Sequence, residues 1–258
     1  MSNDPATVHF VGAGPGAPDL ITLRGARLLR EADVVVWAGS LVNPQLLEGC
    51  PAGCELHDSA RMTLEEVFAV MRDAALAGRR VVRLHTGDPS IYGAIREQMD
   101  LLDAAGIPYD VTPGVSSMSG AAAALRCEYT LPGVTQSLVV TREAGRTPTP
   151  DRESLSSLAA HGTSMVVFLS AGLARRVQGD LVDSGRDPDE PAAIVYKATW
   201  PDERVVRCTV GTLAESAEGA GIDRLALIVV GDAVAPHAGH DRSRLYDPSF
   251  PTGYREAR

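Results

Sequence analysis

The sequence predicts two α/β domains in one chain of 258 residues, the first on a mostly parallel sheet and the second on a mixed one. Three observations predict it. Short apolar runs at 8–11, 34–37, 81–84 and 109–111 alternate with helical patterns, as strands and crossover helices do. Loops rich in Gly, Pro and Ser close three of those runs. Past Pro113 the texture changes: runs at 192–197 and 204–209 are joined by a hairpin-like connection, which demands antiparallel pairing. The boundary is therefore placed at Pro113, giving domains at 1–113 and 114–235 and a polar tail at 236–258.

Taken in order, the run at 8–11 ends in Gly12-Ala13-Gly14-Pro15-Gly16-Ala17, the letters of a dinucleotide fingerprint. A dinucleotide site needs the helix to open on the third small residue. Here Pro18-Asp19-Leu20-Ile21 intervene, and Thr22 is the expected N-cap. Pro15 also removes an N–H that a pyrophosphate would use. The next strand, 34–37, ends in Ala38-Gly39-Ser40, not in an acid for a ribose. The loop is better suited to a different ligand. Residues 22–31 read as a helix with Leu28 and Leu29 inward, and 40–44 as a turn into a short helix. At 63–77 a helix places Leu64, Val67, Phe68, Met71 and Ala75 on one face. Thr63 and Glu66 form its capping box, and Gly78 ends it.

The run at 81–84 leads into His85-Thr86-Gly87-Asp88-Pro89-Ser90-Ile91-Tyr92-Gly93, and a helix follows with Ile95, Met99 and Leu102 on one face. This loop sits at the carboxyl end of a strand, where open parallel sheets place ligands. Gly87 lets backbone approach closely, Pro89 fixes the turn and Asp88 adds an acceptor. An ordinary strand-to-helix turn would use the same residues. A further strand at 109–111 runs into Pro113-Gly114-Val115-Ser116-Ser117-Met118 and a small-residue helix at 120–125. Its serines offer hydroxyls and helix N-terminal N–H groups, or simply cap the helix. The second part reads as a strand at 136–141, a polar loop at 142–150, a helix at 151–161 and a strand at 165–169. A helix at 173–184, the two hairpin strands, a strand at 226–230 and a surface tail from His237 follow.

The formal net charge of −9 argues against non-specific nucleic-acid binding but leaves room for an anionic substrate held by local arginines. No apolar run approaches the ~20 residues of a membrane span, and residues 1–7 lack the features of a signal peptide, so a cytoplasmic location is expected. Cys50, Cys54, Cys127 and Cys208 are expected as small reduced thiols. Cys50 and Cys54 with His57 make half of a zinc pattern, but no second pair follows, so no metal is expected.

Together, Gly12 to Thr22, the Gly87-Asp88-Pro89 turn and Pro113-Gly114-Val115 resemble, in order and spacing, the tetrapyrrole methylases that use S-adenosylmethionine. The resemblance runs from about Val8 to Gly231. Trp37-Ala38-Gly39-Ser40-Leu41-Val42, Tyr129-Thr130-Leu131-Pro132-Gly133-Val134-Thr135-Gln136, Gly145-Arg146-Thr147-Pro148 and the stretch 196–203 are similar to the cobalamin-pathway branch of that family. The branch acting on uroporphyrinogen III is less similar; it tends to carry an aspartate at Ala38 and Gly-Gly-Asp at Thr86-Gly87-Asp88. The resemblance implies two α/β domains around a trough, a homodimer, and S-adenosylmethionine as cofactor with S-adenosylhomocysteine as product. It implies cofactor contacts at Pro15, Thr86, Gly87, Asp88, Ile91, Ser116, Ser117, Leu169 and Ala198. Gly14 and Gly16 would line the trough floor near the substrate.

The activity so implied is methyl transfer to an electron-rich carbon of a corrin-ring precursor, with or without cobalt. Such chemistry rests mainly on positioning, and the chain indeed lacks a Ser-His-Asp or Cys-His signature; no acid–base residue is singled out. Arg142, Arg146 and Lys197 are the expected grips for the many carboxylates of a tetrapyrrole. The alternatives are another tetrapyrrole C-methyltransferase of the same family, a nucleotide-dependent oxidoreductase, a non-catalytic binding module, and a relative acting on diphthamide precursors or on ribosomal RNA, the RNA reading being opposed by the acidic charge.

Overall fold

The structure, a computed structural model, describes residues 4–235 and 239–257. His237, where the expected tail begins, lies outside them. Two compact units emerge: Met1–Gly120 with Lys197–Asp202, and Ala121–Tyr196 with Glu203–Arg258.

The first unit runs β1 (Val8–Gly12), α1 (Leu23–Glu31), β2 (Val34–Trp37), β3 (Glu55–Asp58), α2 (Leu64–Leu76), β4 (Val81–His85), α3 (Ile95–Ala104) and β5 (Tyr109–Thr112). The strands order as β3-β2-β4-β1-β5, and every pairing is parallel. Continuous apolar strands follow from a sheet covered on both faces. Val8, Phe10, Val36 and Val81 pack with Val67 and Met71 of α2 and Leu102 of α3. Val11, Val35, Val82 and Leu84 pack on the other face with Leu29 of α1. Thr22 accepts a bond from the Gly25 N–H as N-cap of α1, and Thr63 and Glu66 close the capping box of α2. The sequence pattern missed β3. Its residues, Glu-Leu-His-Asp, are mostly exposed at the sheet edge, so no apolar alternation marks them.

The helix α4 (Ser117–Leu125) opens earlier than expected, at the second serine. The boundary also differs from the expected Pro113. The segment to Gly120 stays with the first unit, because the Gly114 N–H is bonded to Asp88.

The second unit holds β6 (Leu138–Arg142), α5 (Leu155–Ala159), β7 (Ser164–Phe168), α6 (Ala174–Asp183), β8 (Pro191–Tyr196), β9 (Arg204–Thr209), α7 (Leu213–Ala220) and β10 (Ala226–Val230). Its order is β6-β7-β10-β8-β9; β6 and β7 are parallel and the other pairs antiparallel, so the sheet is mixed. Met165, Ile194 and Ile228 of the strands pack with Val177 and Leu181 of α6 and Leu213 of α7. The single helix expected at 151–161 is broken: a 3-10 turn at Asp151–Glu153 precedes Ser154, which caps α5 through the Ser157 N–H. The sequence pattern also missed α7, where Leu213, Ala214 and Ala217 are small or isolated apolar residues. Among the described residues no helix is long and apolar enough to cross a membrane.

Candidate functional site

Three loops at the carboxyl ends of β1, β4 and β5 meet backbone to backbone. A Cβ on Gly114 would fall 2.1 Å from the Gly87 carbonyl oxygen, and one on Gly12 would fall 2.6 Å from Gly114 Cα. Only glycine permits that approach. Gly14 and Gly87 exchange two backbone hydrogen bonds, 3.2 Å and 2.9 Å, which join the first two loops. Gly87 turns at φ 59° and Gly14 at φ 81°.

Asp88 ties the second loop to the third. Its Oδ2 accepts the Gly114 N–H at 2.8 Å, and its Oδ1 accepts the Ser90 N–H at 2.9 Å and the Ser90 hydroxyl. Burial pushes the Asp88 carboxyl up, but these bonds outweigh it and hold the pKa below the ordinary 3.8. Both carboxylate oxygens are thus engaged within the chain. Thr86, Asp88 and Ile91 are half-buried along this loop. In the third loop Ser116 is buried, its hydroxyl accepting the Met118 N–H at 3.4 Å, and Ser117 opens α4 half-buried.

The glycine loop is enclosed within its own unit. Gly14, Pro15 and Gly16 are all buried. A Cβ on Gly16 would fall 2.0 Å from Trp200 Cδ1, so the indole packs directly on this glycine. Residues Lys197–Asp202 group with this unit and hold the loop: the Trp200 indole N–H donates to the Pro15 carbonyl at 3.2 Å, and Thr199 Oγ1 accepts the Ala17 N–H at 3.0 Å. Asn43, 5% exposed, donates from Nδ2 to the Gly16 carbonyl at 2.9 Å. Ala198 is buried, with its Cβ and that of Pro15 both facing Gly120. Lys197, at φ 46°, meets Asp202 at 2.7 Å and lies 5.1 Å over the Trp200 ring, so its charge is shared inside the hairpin loop. Sequence reasoning missed Asn43, Thr199 and Trp200 as supports. Asn43 read only as a turn residue, and it does cap that turn through the Gln45 N–H. A tryptophan in a short connection was the available signal for Trp200.

In the second unit, Leu169 follows β7 at φ 53° and is 65% exposed, unusual for both a branched residue and an apolar one. Arg142 ends β6, and its guanidinium donates to the carbonyls of Glu143, Thr147 and Pro148 in its own loop. Arg146 is exposed, and no described residue pairs with it. The base of the loop is anchored where the Glu143 N–H donates to Ser170 Oγ at 2.8 Å. Burial raises the pKa of the Glu143 carboxyl, and Asp180 adds to the rise while Arg176, 3.0 Å away, opposes it. Cys50 is pushed up to about 11 by burial with Cys54 beside it, so neither thiol is poised as a nucleophile.

These strand-end loops, the covered glycine loop and the mixed second sheet mark a ligand-handling α/β protein that is not a dinucleotide binder: a 3-10 turn, Pro18–Leu20, separates the glycine loop from α1. The chain belongs to the tetrapyrrole (corrin/porphyrin) methylases, whose family pattern matches residues 7–214. It is 47% identical over 250 residues to the cobalt-precorrin-4 C(11)-methyltransferase of Methanocaldococcus jannaschii, covering 97% of this chain and 96% of that one. It is 45% identical over 250 residues to the precorrin-4 C(11)-methyltransferase of a Sinorhizobium species, covering 96% and 98%. Among solved structures, a cobalt precorrin-4 methyltransferase superposes with a TM-score of 0.87 at 45% identity, over 89% of this chain and 96% of that one. The uroporphyrin-III C-methyltransferase of Thermus thermophilus, complexed with S-adenosylhomocysteine, gives 0.76 at 31% identity, over 89% and 99%.

Proposed function

We propose that this protein transfers a methyl group from S-adenosylmethionine to carbon 11 of precorrin-4 or cobalt-precorrin-4 in cobalamin biosynthesis. The observation that carries the reading is similarity of 45–47% along nearly the whole chain to enzymes of both names. The likeness to the uroporphyrin-III enzyme is lower, at 31%.

The residues present suit the cofactor. Thr86 and Ser117 bring hydroxyls, the Gly87 turn brings close backbone, and Ile91 offers an apolar face. Leu169 offers a second apolar contact by the same reading. Pro15 and Ala198, both buried beside Gly120, shape the floor under these groups. Asp88 acts by fixing the turn, since its oxygens are taken by Ser90 and Gly114. When bound, S-adenosylmethionine supplies a methyl group on a sulfonium sulfur. The chain's own contribution is to hold and orient: well-placed reactants can gain ~7–11 kcal/mol from positioning alone. Arg146, with Arg142 shaping its loop, meets the substrate carboxylates. In the first unit, Gly14, Gly16 and Lys197 are further candidates for contact with the substrate. The working form is a cytoplasmic homodimer, which sedimentation at micromolar concentration would test.

The deciding assay is incubation of the purified protein with S-adenosylmethionine and each substrate form, metal-free and cobalt-loaded. Mass spectrometry should find a product one methyl heavier, and with a carbon-13 methyl on the S-adenosylmethionine, carbon NMR should place the labelled methyl on carbon 11. No methylation of either form would overturn the reading.

A further inference from the structure

Arg83 stands in the middle of β4, the central strand of the first sheet, and is only 7% exposed. A buried cation is costly unless a carboxylate meets it. None does among the described residues: burial lowers the Arg83 pKa to about 10, and no described acidic neighbour counters it. The guanidinium donates instead from Nε to Gln98 Oε1 at 3.0 Å and from Nη1 to the Val36 carbonyl at 3.3 Å. Gln98 is 4% exposed and donates from Nε2 to the Ala94 carbonyl at 3.0 Å.

The Ala94 end of that chain is strained. Ala94 is the N-cap of α3, lies at φ 49° and has no side-chain cap. Tyr92 lies at φ 55°, and between them a Cβ on Gly93 would fall 2.2 Å from the Pro89 carbonyl oxygen. Two left-handed residues around a pressed glycine persist only where neighbours over-determine them. Gln98 is such a neighbour, and Arg83 decides how it works. A guanidinium only donates, so Gln98 must turn its oxygen toward Arg83 and its NH2 toward Ala94.

We propose that Arg83 and Gln98 are positioning residues: Arg83 orients the Gln98 amide, and the amide locks the left-handed entry to α3, fixing the loop at 86–91 in its cofactor-holding form. This rests on the reading of that loop as the cofactor loop. A well-packed apolar pair would serve the core at least as well as an unpaired cation and an amide, so their presence calls for a role beyond packing.

Gln98→Glu keeps an acceptor for Arg83 and removes the donor to Ala94. Arg83→Met with Gln98→Met removes both polar ends. Both should fold with the wild-type Tm yet bind S-adenosylhomocysteine about tenfold more weakly by calorimetry, as expected if the competent loop form falls to roughly a tenth of the population. KM for S-adenosylmethionine should rise in step, while KM for the tetrapyrrole stays put. Arg83→Lys, which retains one donor for Gln98, should recover part of the affinity. Wild-type affinity in either folded variant overturns the proposal. Unfolding of both also overturns it, because it makes the pair purely structural. If instead the wild type binds no S-adenosylhomocysteine, or Asp88→Ala binds it unchanged, the cofactor-loop reading is what fails.

Discussion

Asp88 and Arg142 make an instructive pair. Each is a charged residue at or just past the end of a strand, each looks in the sequence like a hand held out to a ligand, and each is engaged by its own chain. Asp88 spends both carboxylate oxygens on Ser90 and Gly114, and the second of those bonds reaches another loop. Arg142 spends its guanidinium on three carbonyls of its own neighbourhood. The first residue therefore couples two loops, whereas the second stiffens one. Charge at a strand end signals a built loop; what the charge holds decides whether the loop is rigid across the sheet or only along itself.

The contrast can be tested in descending order of effect. Gly114→Ala strikes the coupled loops where they are tightest. The added methyl meets the Gly87 carbonyl oxygen at 2.1 Å, so the variant should lose ~3 kcal/mol of stability in denaturant titrations and all measurable affinity for S-adenosylhomocysteine. Gly145→Ala, in the uncoupled loop, meets only a Leu173 methyl at 3.5 Å and should be nearly silent.

Asp88→Ala comes next, at ~1–2 kcal/mol of stability in denaturant titrations, the range for bonds to a charged group discounted for partial exposure, with weaker S-adenosylhomocysteine binding following from the loosened turn. Its acid dependence has a definite sign. The Asp88 pKa is depressed in the folded protein, so its contribution is complete above the ordinary 3.8 and fades as pH falls from there through the lower folded value. Wild-type stability should carry that acid-side loss and Asp88→Ala should lack it; matching profiles from pH 2 to 5 would refute the assignment.

Trp200→Phe keeps the ring over Gly16 and removes the N–H that donates to Pro15. It should cost about 1 kcal/mol in thermal unfolding, and an unchanged Tm would make the bond dispensable. Arg146→Ala is the smallest effect. The side chain is exposed, so kcat/KM for the tetrapyrrole should fall by no more than ~1 kcal/mol, and salt should narrow the gap. Arg142→Ala should blur that effect rather than add to it, because it loosens the loop that presents Arg146.

Much of this was legible in the sequence for a physical reason. The run Val34-Val35-Val36-Trp37 could only be a buried strand, and Thr63 with Glu66 could only cap the helix they cap. The three glycine-bearing loops were legible too, because strand, small residues and helix follow one another there. What escaped had no local signature. The edge strand β3 is polar, α7 is short and alanine-rich, and the break at Ser154 divides what reads as one helix. In the site, the partners of Asp88, Asn43 and Trp200 lie far along the chain, as with Trp200 and Pro15. Periodicity reads neighbours in sequence, and these bonds join residues that only the folded sheet brings together.

The return of Lys197–Asp202 to the first unit has a consequence for how the protein is made. A ribosome releases the parallel sheet and all three glycine-bearing loops long before it reaches Trp200. At ~5–20 residues per second, the nascent chain carries an uncovered Gly16 and an unanswered Pro15 carbonyl for roughly 10–40 seconds. The first unit cannot be completed during its own synthesis; it must wait, nearly built, for six late residues to arrive and seal it.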